Sequence, residues 1–188
     1  MKRIFFPLVV ILLVVVVAHL PSQEVSEMPR PVAPGSEHTW LKQFVGEWNS
    51  EAHIMMAPGQ PPTIAQGKEV VRSVGELWVV GELNSVFVGQ PFTGVMMFGY
   101  DTRKKQFIST WIDSMETHLW QYVGTLDKES NTLTMTTEGP NPMMPGQTAK
   151  FKEVFEFKTP DHRVLTSSVQ GADGEWITMI TVHYHRRK

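Results

Sequence analysis

From Gly46 to Arg186 the chain falls into about ten short runs rich in Val, Ile, Thr, Phe, Trp and Tyr, separated by Gly, Pro, Asp and Asn. Such regular, turn-punctuated runs constrain the fold more than any other feature, because strands of this length must pair with sequential neighbours. The spacing predicts strands near 47–56, 64–74, 77–87, 93–100, 106–113, 118–125, 131–138, 148–157, 163–170 and 175–186. Asp173-Gly174 between two of them is a hairpin signal. The runs do not alternate with helical segments, which excludes a parallel α/β sheet. One short helix is expected over His38–Val45, with Trp40, Leu41 and Phe44 on one face and Gly46 at its end. The fold class that follows is all-β: an antiparallel up-and-down β-barrel of about ten strands with a short N-terminal helix.

In such a barrel, odd-numbered connections lie at one end and even-numbered ones at the other. The even set, around Gly75, Asp101 to Lys105, Asp127 to Asn131 and Pro160, is compact and polar. The odd set includes Ala57 to Pro62, Ser114 to Thr117 and Gly139 to Gln147, and carries Met and Pro. One end therefore reads as closed by tight turns and the other as a mouth. Barrels of this strand number can hold one small ligand.

Gly46-Glu47-Trp48 opens the first strand and Arg186-Arg187 closes the last. In a closed barrel these ends are neighbours, and a guanidinium over the Trp48 indole would seal the closed end as a cation–π contact. This pattern resembles the calycin superfamily, which includes the lipocalins. A second resemblance covers residues 37–187. It is carried by Pro58-Gly59-Gln60-Pro61-Pro62, Leu77-Trp78-Val79-Val80-Gly81-Glu82, Gly99-Tyr100-Asp101, Thr110 to Met115, His118-Leu119-Trp120, Glu138-Gly139-Pro140 and Asp161 to Thr166. Together and in order these resemble the bacterial family called domain of unknown function 1579. The resemblance implies a calycin-like barrel and, with a leader, an envelope location; it implies no reaction and no ligand.

The N-terminus differs from the rest. Met1-Lys2-Arg3 is basic and Ile4 to Ala18 is almost wholly apolar, the pattern of a signal peptide over residues 1–20. The cleavage site is poorly formed, and an uncleaved membrane tether through residues 4–20 is the alternative. Residues 21–36, with four prolines, read as a linker. The barrel domain then occupies 37–188. A secreted or periplasmic location follows, with N-terminal anchoring as the variant. No cysteine is present, so disulfides and thiolate chemistry are excluded, and a net charge of −2 without a basic patch argues against nucleic acid.

Candidate site residues cluster in one hairpin. Trp111 and Asp113 share a face of the fifth run; His118, Trp120 and Tyr122 share a face of the sixth. If both faces point inward they form an aromatic wall with a carboxylate and an imidazole at its rim. The alternative is a hairpin of aromatic cross-strand pairs with a solvated turn. Asp113 with His118 could also act as acid and base in an enzyme, although no nucleophile motif accompanies them. Met56 and Met143 belong to two similar phrases, Met55-Met56-Ala57-Pro58-Gly59-Gln60 and Met143-Met144-Pro145-Gly146-Gln147, both placed at the mouth. Their thioethers suit adaptable apolar contact or, less readily, Cu(I). His183 and His185 share a face of the last run with His53 on the first, and some ten-stranded calycins bind haem through a histidine on the C-terminal strand. Arg163 falls near the closed end, where a structural role is expected. The reading that results is a binding module for a small, largely apolar molecule, with no resident cofactor. An enzyme acting on such a molecule and a ligand-free interaction domain are the alternatives, and the oligomeric state is left open.

Overall fold

A computed structural model describes residues 32–56 and 59–188. The signal, anchor and most of the linker expected over 1–36 lie outside the described residues. Residues Ala33–Lys188 form one compact unit.

Ten antiparallel strands close into a barrel, each paired to its neighbours in chain order, with β1 (Gly46–Ile54) closing onto β10 (Trp176–Arg186). Between them run β2 (Thr63–Val74), β3 (Trp78–Phe87), β4 (Gln90–Asp101), β5 (Gln106–Asp113), β6 (Trp120–Asp127), β7 (Thr132–Pro140), β8 (Thr148–Thr159) and β9 (His162–Gln170). The closing seam pairs Trp48 with Arg186 and Ile54 with Ile180. Closure leaves no free sheet edge among the described residues, which removes the aggregation hazard of an open all-β sheet. Bulges in β8 between Phe157 and Thr159, and in β10 between Thr178 and Ile180, interrupt the pairing with β9. Such bulges bend a strand and increase its twist. The architecture is the one expected from the strand pattern.

The even-numbered end is filled. Helix α1 (Ser36–Leu41) runs into a single 3₁₀ turn over Lys42–Phe44, so the expected helix is present but tightens halfway. This short piece lies across the barrel end and drives Leu41 and Phe44 fully inside. Phe44 stacks on Phe98 and meets Phe155 and Phe157 edge-on, at centroid distances of 5.0–5.8 Å. Trp48 is wholly buried and its indole N–H donates to the Phe44 carbonyl at 2.8 Å. The Arg186 guanidinium sits 4.1 Å from the Trp48 ring and donates to the Val45 and Gln43 carbonyls at 2.7 and 3.0 Å. The last strand thus fastens the turn that leads into the first, worth about 1 kcal/mol for the ring contact alone.

The alternation of side chains then divides the barrel into levels. Along β1, Trp48 lies at the floor, Ser50 and Ala52 at mid-height and Ile54 near the odd-numbered loops. The floor is solid; above it the interior is hollow.

Candidate functional site

The hollow is a cavity of about 370 Å³, at the small end of the range for ligand sites. It extends from mid-barrel to the strand ends beside the odd-numbered loops, where Ile54, Phe87, Phe92, Asp113 and Glu116 stand. The unequal loops of the sequence therefore do mark the two ends, as the parity of the strands implies.

Four of the seven expected site residues line this cavity: Trp111, Asp113, Trp120 and Tyr122. The β5–β6 pairing ends at Trp111 opposite Trp120, so both indoles lie at the same height. Each is seated by a strand glycine. A Cβ at Gly94 would run into the Trp111 ring, and one at Gly139 into the Trp120 ring. Glycine inside a strand often marks such a close approach. Each indole N–H is also held by a carboxylate. Trp111 Nε1 donates to Asp113 at 2.9 Å, and Trp120 Nε1 donates to Glu116. Asp113 accepts a second bond from the Met115 backbone N–H at 2.8 Å, which turns the chain out of β5.

The other three expected residues do not line the cavity. His118 was expected on the inward face of the sixth strand, but β6 begins at Trp120 and His118 sits in the preceding loop, beyond the last β5–β6 pair. Its ring packs edge-on against Trp120 at 4.7 Å. Among the described residues no hydrogen bond joins it to Asp113, so the acid–base pair imagined for an enzyme is not assembled. Met56 and Met143 stand 60% and 50% exposed on their loops and make no part of the cavity wall. The methionine that does reach the wall at this end is Met115.

His183 also departs from expectation. Val182 and Tyr184 take the inward positions of β10, so His183 and His185 point outward. There His162 stacks on His185 and His183 at 4.4 and 5.6 Å, and His53 meets His183 edge-on at 5.9 Å. An axial ligand inside the barrel is therefore not supplied by His183. Among the described residues no group of three or more His, Asp or Glu is arranged to hold a metal ion.

Two interior groups escaped the sequence reading. Glu153 on β8 lines the cavity at mid-height, where its Oε1 accepts from the Ser167 hydroxyl at 2.8 Å. Loss of hydration inside the barrel pushes its carboxyl up to about 8, the Ser167 bond offsetting only part of this. Tyr122 faces it, and burial raises the phenol further, with Glu153, Glu116 and Asp113 acting in the same direction. Below the cavity, Glu69 on β2 pairs with Arg163 on β9, the pair buried to 2% and 1% exposure. Burial pushes the Glu69 carboxyl up while the Arg163 guanidinium pulls it back. The Arg163 guanidinium lies 3.9 Å from the Tyr184 ring, so Arg163 has the floor role expected of it.

The family model described as "Protein of unknown function (DUF1579)" matches residues 33–186. No curated protein matches the chain. Among solved structures, Rv2717c from M. tuberculosis is similar in fold: TM-score 0.57, 13% identity, covering 82% of this chain and 99% of that one. The S-type phycobiliprotein lyase CPES from Guillardia theta is similar too, with TM-score 0.53 and 15% identity over 82% of this chain and 94% of that one.

Proposed function

We propose a function for this chain, which belongs to the DUF1579 family, from the shape of its interior: it is a binding module that holds a small, largely apolar molecule in the barrel. The observation that carries this reading is the cavity itself. A barrel serving only as a scaffold gains by filling its interior, because packed side chains recover dispersion and hydrophobic energy that a void forfeits. Here the floor is packed to completion while the upper half is kept hollow, walled by Phe92, Trp111, Trp120, Phe151 and Phe155 with a few fixed polar groups. Apolar walls with sparse, placed polar groups are what small-molecule sites use. One of the structures similar in fold is, by its name, a phycobiliprotein lyase, and that kinship in shape is compatible with a barrel that receives an organic guest.

The test is native mass spectrometry of the full-length chain purified from its own host, beside a variant whose cavity is filled by Ala65→Phe. A reproducible extra mass on the wild-type chain that is missing from the variant supports the reading. Equal masses in both place any guest outside the barrel and end it.

The same reading takes the basic start and apolar run of residues 1–20 as an export signal, which puts the barrel in the cell envelope as a secreted, periplasmic or tethered protein. Fractionation of cells expressing the full chain tests this; recovery wholly in the cytoplasm overturns it.

A further inference from the structure

The ionisable groups of the cavity other than its two tyrosines are all carboxyls. Asp113 and Glu116 stand at its rim and Glu153 at mid-height, and among the described residues no Lys, Arg or His lines it. The two indole N–H donors of the wall and the nearest guanidinium are each engaged by a carboxylate. The Trp111 indole N–H is bound by Asp113, the Trp120 indole N–H by Glu116, and the Arg163 guanidinium is locked below the floor with Glu69. Glu153 is the interior carboxyl left without a cationic partner. Glu153 lines the hollow; its Oε1 accepts from Ser167, and its Oε2 has no hydrogen-bond partner among the described residues.

We propose that the cavity selects a basic guest: an apolar body carrying an amine or other cationic nitrogen, which Glu153 receives at mid-barrel and the rim carboxylates attract at the mouth. This rests on the binding reading above and names its chemical class. Three physical arguments support it. A cation meeting a carboxylate in a low-dielectric cavity makes a charge-assisted bond, about twice as strong as a neutral one. The faces of Trp111, Trp120 and Tyr122 favour a cation next to them. A carboxylate guest would meet the rim carboxylates of Asp113 and Glu116 with no basic side chain in the wall to compensate, and like-charge juxtaposition of this kind is unfavourable. The groups facing Glu153 from the surrounding elements are Tyr122 on β6, Ser167 on β9 and Tyr184 on β10, and none of them is a cation. An ammonium guest therefore supplies the positive partner that this carboxyl lacks. In binding, the Glu153 carboxyl gives its proton to solvent.

Three matched probes decide the matter: decylamine, decanol and decanoate, titrated at neutral pH into the full-length chain and followed by tryptophan fluorescence, since Trp111 and Trp120 line the cavity. Decylamine is expected to bind about tenfold more tightly than decanol, and decanoate more weakly than both. Glu153→Gln should abolish the preference for the amine over decanol, and Glu116→Gln should reduce that preference less. Circular dichroism of each variant confirms folding before titration. If decanol or decanoate matches decylamine, the basic-guest inference is overturned and the apolar cavity stands. If the amine preference survives Glu153→Gln, Glu153 is not the anchor and the inference fails as stated. If none of the probes binds, both readings fall.

Discussion

Arg163 and Glu69 form an ion pair that reaches across the barrel floor, joining β9 to β2 past the two strands between them. Strand pairing joins neighbours only; this pair ties two non-adjacent strands together across the closed end. Arg163 is nevertheless incompletely satisfied, since its Nε and Nη1 have no hydrogen-bond partner among the described residues. It is held instead between rings, with Phe44, Trp48 and Tyr184 at 4.9, 4.9 and 3.9 Å from the guanidinium carbon.

Removing one partner of a buried pair leaves an uncompensated charge. Glu69→Ala is therefore expected to destabilise the barrel by about 3–5 kcal/mol. The double variant Glu69→Leu with Arg163→Met, which removes both charges, should recover most of that loss. Urea denaturation of the single and double variants measures both. A double variant no more stable than the single one would show that the pair contributes more than charge neutrality.

Glu153 makes stability depend on pH in a direction unusual for a carboxylate. Its folded carboxyl titrates at about 8, above the value of 4.5 it would have in an unfolded chain. Between these two values the folded state holds a proton that the unfolded state has lost, so stability falls as pH rises through this window. The accessible surface that Glu153 keeps faces the hollow rather than bulk water, so the effect is muted but present. Glu153→Gln removes it. The stability of the variant relative to wild type should rise between pH 5 and pH 8 by on the order of 1 kcal/mol per unit at most. Melting temperatures of the two proteins across that range test this; a constant difference would place Glu153 in water.

The strand pattern made the barrel and its two unlike ends readable, because alternation and turn chemistry are local properties. The seal between Trp48 and Arg186 was readable for a topological reason: a closed barrel must bring its first and last strands together. Trp111, Asp113, Trp120 and Tyr122 emerged from the same alternation. Glu153 could have been found in the same way. Phe151, Phe155 and Phe157 on β8 all point inward, and strict alternation forces the residue between the first two inward as well. It was passed over because a charged residue in a strand is ordinarily read as outward. Glu69, between Gly67 and Val71 on β2, was passed over for the same reason. His118 fails differently: where a hairpin stops pairing is set by the loop, here by Asp113 capturing the Met115 N–H, and that bond depends on geometry rather than on pattern. The glycine seats under Trp111 and Trp120 belong to other strands and could not be assigned before the pairing was known.

Those seats yield a prediction of their own. Gly139 lies under the Trp120 ring and is buried, so a methyl group there must displace the indole. Gly139→Ala should cost about 1–3 kcal/mol of stability, as overpacking of an ordered site does. It should also shift the tryptophan emission as Trp120 leaves its slot between Tyr122 and Phe151. Gly75→Ala is a useful contrast. Gly75 meets nothing within 4 Å but adopts φ +60°, so its cost is backbone strain alone and the emission should not move. An unchanged spectrum for Gly139→Ala would mean that the indole is not fixed by its seat.

The rim carboxylate of Asp113 gives the last prediction, because it holds the wall at two points. Asp113 fixes Trp111 through its Nε1 at 2.9 Å and ends β5 through the Met115 N–H at 2.8 Å. Asp113→Asn keeps the shape and an acceptor oxygen but loses the charge. Asp113→Ala loses both. If Asp113 serves mainly to hold the wall, the Asn variant should keep the cavity and its affinity for a neutral apolar probe such as decanol, while Ala should weaken that affinity several-fold by freeing the Trp111 ring. The expected stability loss for Ala is about 1–2 kcal/mol, that of a partly buried, charge-assisted bond. Hydrogen exchange at the Trp111 indole, which Asp113→Ala exposes and Asp113→Asn protects, reports the same event directly. Equal decanol affinity in both variants would show that Gly94 and the stacking of Phe92 at 6.3 Å are enough to seat Trp111, and that the carboxylate is free to meet the guest.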